Sequence, residues 1–323
     1  MPISLFRSYP HGTGLARPPG YLRSTIPEPL PTMTKPAPAV ASSVSTDELD
    51  RICSQVRRDI VRMVHGCQSG HPGASLGCTE FFVALYWNIL RHDPKAFSMD
   101  GMGQDLFFLS NGHISPVWYS VLARSGYFPV KELVTFRKLD SRLQGHPTTH
   151  EGLPGVRMAS GSLGQGLSVG IGAALAKKLN GDPHLVFTLH GDGELQEGQI
   201  WEAAMSAPRH KVDNLIATVD WNGRQIDGDV DDVMPLGDLP AKWRAFGWDV
   251  LICNGNDMTE LLATINEAKS RTGKGLPIVI LMRTEMGQGV DFMVGSHEWH
   301  GIPPNDEQLA RALAQLPETL GDY

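Results

Sequence analysis

Cysteine is scarce. Cys53, Cys67, Cys78 and Cys253 are the four in 323 residues, and none are in Cys-x-x-Cys spacing. Such thiols fit a reduced, cytosolic protein better than a disulfide framework or a redox motif. Long apolar runs are also missing. A membrane-spanning helix needs roughly 18 apolar residues, and the nearest approach, Phe81 to Leu90, suits a core helix. Lysine and arginine are nowhere concentrated, and the net charge is −7, which argues against a nucleic-acid or acidic-membrane surface. No Walker-type Gly-Lys-Ser/Thr is present, nor a dinucleotide Gly-x-Gly-x-x-Gly after the first strand; Gly161 to Gly166 has the wrong spacing. Acidic residues are almost missing from residues 1–45, where Glu28 is the only one, while nine prolines fall between Pro2 and Pro38. That segment lacks the apolar periodicity needed to offset chain entropy, so a disordered or loosely draped tail is expected. Met33 offers an alternative start. Arg7, Arg17 and Arg23 ahead of Glu28 leave a transit peptide open, without a clear amphipathic helix.

What remains, residues 46–323, reads as one domain. Hydrophobic content of 41% is enough for a sizeable core. Ser45-Thr46-Asp47-Glu48 has the hydroxyl cap and acidic first turn of a helix start. Ile52, Val56, Ile60 and Val64 then carry helical spacing to about His65. Further helices are expected at Thr79–Leu90, from about Ser115, at Leu167–Leu179, Met258–Ser270 and Asp306–Leu316. Short apolar runs at Leu106–Leu109, Leu185–Leu189, Leu215–Val219, Trp248–Cys253 and Pro277–Met282 read as buried strands. Strands alternating with helices predict an α/β fold, a doubly wound and mostly parallel sheet flanked by helices.

The most informative stretch is Gly191 to Gly228. A buried strand ends in Gly-Asp-Gly, a helical pattern follows, and a second strand ends in Asp-Trp-Asn-Gly. In a parallel sheet both turns lie at the carboxyl ends of strands, where ligands bind. Asp192 and Asn222 are hard oxygen donors, suited to Mg²⁺ or Ca²⁺ rather than zinc. The backbone N–H groups after Gly193, with a helix N-terminus beyond, favour an anion. A metal-bridged diphosphate fits both. Five of the twelve histidines, His71, His113, His146, His297 and His300, sit in glycine-bounded turns. No pair has the usual zinc spacing, so hydrogen bonding and proton transfer near neutral pH is the expected work. Ser160–Gly166 is a glycine-rich loop opening onto a helix of small residues that can pack close to a sheet.

With these residues in place, the chain resembles the amino-terminal half of transketolases, in the form of the N-terminal subunit of a split enzyme. The matching pieces, in family order, are SGHPGASLG (69–77), LSNGH (109–113), GHP (145–147), GSLGQG (161–166), GDGELQEG (191–198), DWNGRQIDG (220–228) and GSHEWHG (295–301). The resemblance implies the thiamine-diphosphate-binding fold and a thiamine diphosphate cofactor with Mg²⁺, replaceable by Ca²⁺ or Mn²⁺. Asp192, Asn222 and the carbonyl of Arg224 would hold the metal. Gly161, Gly191 and Gly193 would contact the cofactor, Gly193 through its backbone. His113 and His297 would lie beside the diphosphate, His71 and His146 along the sugar channel. Leu163 and Ile226 would pack on the cofactor, and Glu197 would join a carboxylate network at the dimer contact. The implied reaction moves a two-carbon ketol unit from a ketose phosphate to an aldose phosphate, chemistry of the pentose phosphate kind. The implied partner is a C-terminal subunit with the pyrimidine-binding domain, in an α2β2 assembly. Two departures stand out: Ser162 where proline is usual, and bulky Trp221 beside the metal asparagine. The alternatives are a subunit of another two-chain thiamine-diphosphate enzyme, such as a 2-oxo acid dehydrogenase E1, or a non-catalytic regulatory subunit. The Ser-Gly-His-Pro-Gly and Ser-Asn-Gly-His turns favour the transketolase reading.

Overall fold

The computed structural model describes residues 44–323, so the expected tail lies almost entirely outside the described residues. Helix α1 (Thr46–Cys67) starts on the expected cap: Ser45 Oγ accepts the Glu48 N–H at 3.3 Å. Then come α2 (Pro72–Gly77) and α3 (Thr79–Ala84), the latter prolonged by a π-helical turn to Ile89. The first three strand-and-helix units follow: β1 (Leu106–Leu109), α4 (Ser115–Arg124), α5 (Gly166–Leu179), β2 (Val186–Gly191), α6 (Gly198–Arg209) and β3 (Leu215–Trp221). A two-residue hairpin, β4 (Arg224–Gln225) and β5 (Gly228–Asp229), leads through α7 (Val230–Val233) and α8 (Leu239–Ala245) to β6 (Asp249–Asn254). The chain ends with α9 (Met258–Arg271), β7 (Ile278–Arg283) and α10 (Asp306–Gln315).

All five expected strands form, and they pair in parallel in the order β1-β2-β3-β7-β6. The period of two divides each strand between two cores. Phe107, Leu109, Phe187, Leu189, Ile216, Ile278 and Ile280 face a layer built from α1, α3, α4 and α9. Leu106, Phe108, Val186, Leu215, Ala217, Val219, Val279 and Leu281 face α5, α6 and α8 on the other side. A sheet buried on both faces needs near-continuous apolar strands, which is why these runs could be read without alternation. The small residues of α5 act as expected: a Cβ on Gly170 would stand 2.5 Å from Thr188 Cγ2, so the helix lies directly on β2.

The Gly-Asp-Gly turn precedes its helix as expected: a 3-10 turn (Gly193–Gln196) comes first and the helix begins at Gly198. Two features differ from the sequence reading. Ser69–Gly73 was expected as a turn, yet Pro72 already sits at the first helical position of α2, where its fixed φ and missing N–H are favourable. The β4–β5 hairpin and helices α7 and α8 were not anticipated.

Candidate active site

The loops at the carboxyl ends of β1, β2, β3 and β7 meet at one edge of the sheet. The Asp192 carboxylate, 2% exposed, accepts the N–H of Gly193 at 2.7 Å and the N–H of Gly223 at 2.5 Å. The two turns singled out in the sequence are therefore bonded to each other. Beneath them, buried Asp220 accepts Nδ2 of Asn222 at 2.8 Å and the hydroxyl of Thr284, which follows β7. Asn222 Oδ1 accepts the Arg224 N–H at 2.9 Å. These two bonds define which end of the Asn222 amide is oxygen and leave that oxygen a spare lone pair. Trp221 is accommodated by stacking: the Arg283 guanidinium lies 4.0 Å from its ring centroid.

Burial, and next the charge of Asp220, pushes Asp192 up to about 8 against the two N–H groups that lower it. Burial raises Asp220 too, against hydrogen bonds from Thr284, Cys78 and Asn222. Two desolvated carboxyls side by side each favour neutralisation, by a proton or by a cation. Asp192 and the Asn222 oxygen are hard-oxygen donors of the kind that could hold a divalent ion such as Mg²⁺.

Four imidazoles cluster beside the hairpin that follows Asn222, where a Cβ on Gly301 would meet both His71 and Ile226. His71 lies 5.0 Å from His113, 5.5 Å from His300 and 6.2 Å from His146, centroid to centroid, and His113 lies 5.1 Å from His300. Burial, with mutual repulsion, lowers His71 to about 3 and His113 well below its ordinary value. Burial lowers His300 as well, and lowers His146 together with the Arg137 charge. The cluster is therefore neutral at neutral pH, each ring offering one donor and one acceptor. The Nδ1 atoms of His71 and His300 are buried with no partner among the described residues.

The expected site residues fall as follows. Gly161 lies against His146, with a Cβ there 3.7 Å from His146 Cβ. Leu163 is half-buried on the same loop. A Cβ on Gly301 would stand 3.8 Å from His71 and 3.9 Å from Ile226, which is 60% exposed and so open to contact. Gly191 lies beside Asn111. The Gly193 N–H donates to Asp192 Oδ1 at the start of the 3-10 turn. His297 and His300 lie on one 3-10 turn (His297–His300). His300 joins the ring cluster, and His297 makes none of those ring contacts.

Several site residues carry no clear signal in the sequence. Buried Glu194 accepts the Gly164 N–H at 2.8 Å, the Gly191 N–H at 3.0 Å and the Ser110 hydroxyl, gathering three loops on one carboxylate. Arg137, in the left-handed region at φ +56°, reaches Ser69 Oγ at 3.3 Å beside the histidines. Asn111 and Ser160 are both buried at the strand ends. Gly166-Leu167-Ser168-Val169-Gly170 does have the spacing of a nucleophile elbow, a signal the sequence reading missed. It lies within α5, where Ser168 Oγ accepts Gln199 Nε2 at 2.7 Å, so no elbow forms.

Residues 49–318 match the family model described as "Transketolase, thiamine diphosphate binding domain". The chain is 37% identical over 277 residues to one of the subunits of an apulose-4-phosphate transketolase from Actinobacillus succinogenes, covering 85% of this chain and 98% of that one. It is 39% identical over 247 residues to a 6-deoxy-6-sulfo-D-fructose transketolase subunit from a Clostridium species, covering 76% and 88%. Among solved structures, the transketolase of Campylobacter jejuni superposes with a TM-score of 0.77 at 33% identity, over 84% of this chain and 43% of that longer one. Both the matched family domain and relatives of nearly its own length thus agree with the strand-end architecture: this chain belongs to the transketolase family, through its thiamine diphosphate binding domain.

Proposed function

We propose that this chain is the diphosphate-binding subunit of a two-chain, thiamine-diphosphate-dependent transketolase. The observation that carries the reading is the juxtaposition of Asp192 and the Asn222 turn, bonded across adjacent strands, with a cluster of neutral histidines beside the hairpin that follows. Asp192, Asn222 and the Arg224 carbonyl hold Mg²⁺, with Ca²⁺ or Mn²⁺ as substitutes. Gly161, Gly191 and Gly193 would hold the diphosphate, with His113 and His297 beside it. His300 stands in the histidine cluster next to His71 and His113. Leu163 and Ile226 form apolar walls for the cofactor.

When bound, thiamine diphosphate supplies the electron sink for cleaving the carbon–carbon bond of a ketose. This chain's own residues do the rest on their side of the site. Neutral His71 and His146 exchange hydrogen bonds with sugar hydroxyls and can accept or return their protons without first losing one to solvent. The buried carboxylates of Asp192 and Asp220 attract the metal that neutralises the diphosphate. The relatives named for apulose 4-phosphate and a sulfo-fructose both concern sugars with an anionic end, which supports a sugar phosphate or similar donor here. The partner is a C-terminal subunit with the pyrimidine-binding domain, in an assembly with two copies of each chain. Residues 46–323 act as a single binding domain.

The test is ketol transfer from a ketose phosphate to an aldose phosphate with Mg²⁺ and thiamine diphosphate. The purified chain alone should be inactive, and adding the partner chain should restore turnover. Full activity of the lone chain would overturn the two-chain reading. Unchanged activity of the assembled Asp192→Ala variant would overturn the metal assignment.

A further inference from the structure

Two buried polar side chains at the strand ends have no role in the arrangement above. Asn111 follows β1 and is 1% exposed, and neither its Nδ2 nor its Oδ1 has a partner among the described residues. Ser160, 2% exposed at the head of the glycine-rich loop, has an equally unpartnered Oγ. The loops that carry them pack together. A Cβ on Gly112 would stand 2.4 Å from Ser160 Oγ, and one on Gly191 would stand 3.8 Å from Asn111 Nδ2. Asn111 is thus wedged between the end of β1 and the residue before Asp192.

Buried amides and hydroxyls are nearly always paired, and each unpaired end weakens the fold for as long as it stays so. Leucine, similar in size to asparagine, would fill the same space without that cost. A polar pair kept here at the expense of stability is explained by a ligand that pairs it. We infer that Asn111 and Ser160 are direct ligand contacts: Asn111 Nδ2 and Ser160 Oγ donate to non-bridging oxygens of the diphosphate. A diphosphate offers only acceptors, which suits both donors. Asn111 Oδ1 needs a donor, and the water that Mg²⁺ usually retains supplies one. This assignment rests on the diphosphate-binding reading and extends it to Asn111 and Ser160.

The experiment separates binding from folding by the sign of two effects. Full-length wild type, Asn111→Leu and Ser160→Ala are compared by thermal denaturation without ligand and by calorimetric titration with Mg²⁺ plus inorganic diphosphate, then with Mg²⁺ plus thiamine diphosphate. For Asn111→Leu, the unligated melting temperature should stay level or rise by about 2 °C. Affinity for both ligands should fall about ten-fold or more, as on losing one hydrogen bond to a charged oxygen. Ser160→Ala should move the same way, and it serves as the second variant should leucine not fit. Wild-type affinity in both variants overturns the inference. So does a fall in melting temperature that accompanies the fall in affinity, since that marks a structural role. A wild-type chain that binds neither Mg²⁺–diphosphate nor Mg²⁺–thiamine diphosphate refutes the underlying reading, and this assignment with it.

Discussion

Replacing Glu194 with alanine should loosen the site more than any change to its exposed rim. The carboxylate is 2% exposed and accepts Gly164 N–H, Gly191 N–H and the Ser110 hydroxyl. Ser110 Oγ in turn accepts the Gly166 N–H at 3.0 Å. Alanine strands three donors in the interior at about 1–3 kcal/mol each. Loop relaxation and entering water reduce the sum to about 3–5 kcal/mol, the usual loss when a buried charged network loses a member. Against a typical total of about 5–15 kcal/mol this is severe. The melting temperature should drop by about 6–20 °C. Glutamine keeps one acceptor oxygen and should fall between wild type and alanine. Hydrogen exchange gives the local readout: the amides of Gly164, Gly166 and Gly191 should lose protection together. The acid limb provides a second check. Burial alone would raise Glu194, but the His190 ring, Ser110 and the Gly164 N–H together hold it below its ordinary value. Its contribution is therefore present above the ordinary carboxylate range and lost as pH falls through the lowered value. The alanine variant should lack that part of the acid sensitivity. Stability within about 0.5 kcal/mol of wild type, or unchanged protection of the three amides, would refute the reasoning.

Two further predictions concern the histidine cluster and the glycine-rich loop. His71 stays neutral down to about 3 in the folded chain, while its unfolded value is ordinary, so its stabilisation is complete above about pH 6.5 and is lost as pH falls toward 3. Between pH 7 and pH 5 this amounts to about 2 kcal/mol, which denaturant titration of wild type against His71→Asn would measure as a steeper loss in wild type. Gly112→Ala places a Cβ 2.2 Å from the backbone oxygen of Ser160, and backbone cannot swing aside as a side chain does. It should cost about 1–3 kcal/mol in denaturant stability and weaken Mg²⁺–diphosphate binding by displacing the glycine-rich loop. Normal stability and binding would show that the loop yields freely.

The strands were legible because both faces of this sheet are buried, so each strand appears as an uninterrupted apolar run bounded by turn residues. The Asp192 and Asn222 turns were legible for a related reason: each residue stands three positions after the end of such a run. Other parts depend on three-dimensional docking. His297 and His300 share one tight turn, and nothing in their spacing says which ring reaches inward. That is settled by how the turn seats on α2, where a Cβ on Gly73 would stand 2.8 Å from the Trp299 carbonyl. Glu194 looks like an ordinary first-turn acid because its three donors come from loops 30 to 84 residues away and from the preceding strand end. Asn111 lies within the LSNGH piece, yet nothing there marks it as a buried, unpaired amide, which is invisible until its surroundings are known. By contrast, Pro72 at the head of Pro-Gly-Ala-Ser-Leu-Gly does carry the signature of a helix start, although the flanking glycines favour reading it as a turn.

The placement of β7 has a consequence for the nascent chain. It is the last strand to be synthesised, yet it occupies the slot between β3 and β6. Until residues 278–283 are available, one edge of β3 has no neighbour and β6 has none at all. Pairings this distant in sequence close slowly, and open strand edges meanwhile invite association with other chains. Insertion of β7 pairs the open edge of β3 with one edge of β6 and brings the Thr284 hydroxyl to Asp220. The bond between Thr284 and Asp220 is thus made in the final step of sheet assembly, so the strand-end site should be completed late in folding rather than with the turns after β2 and β3.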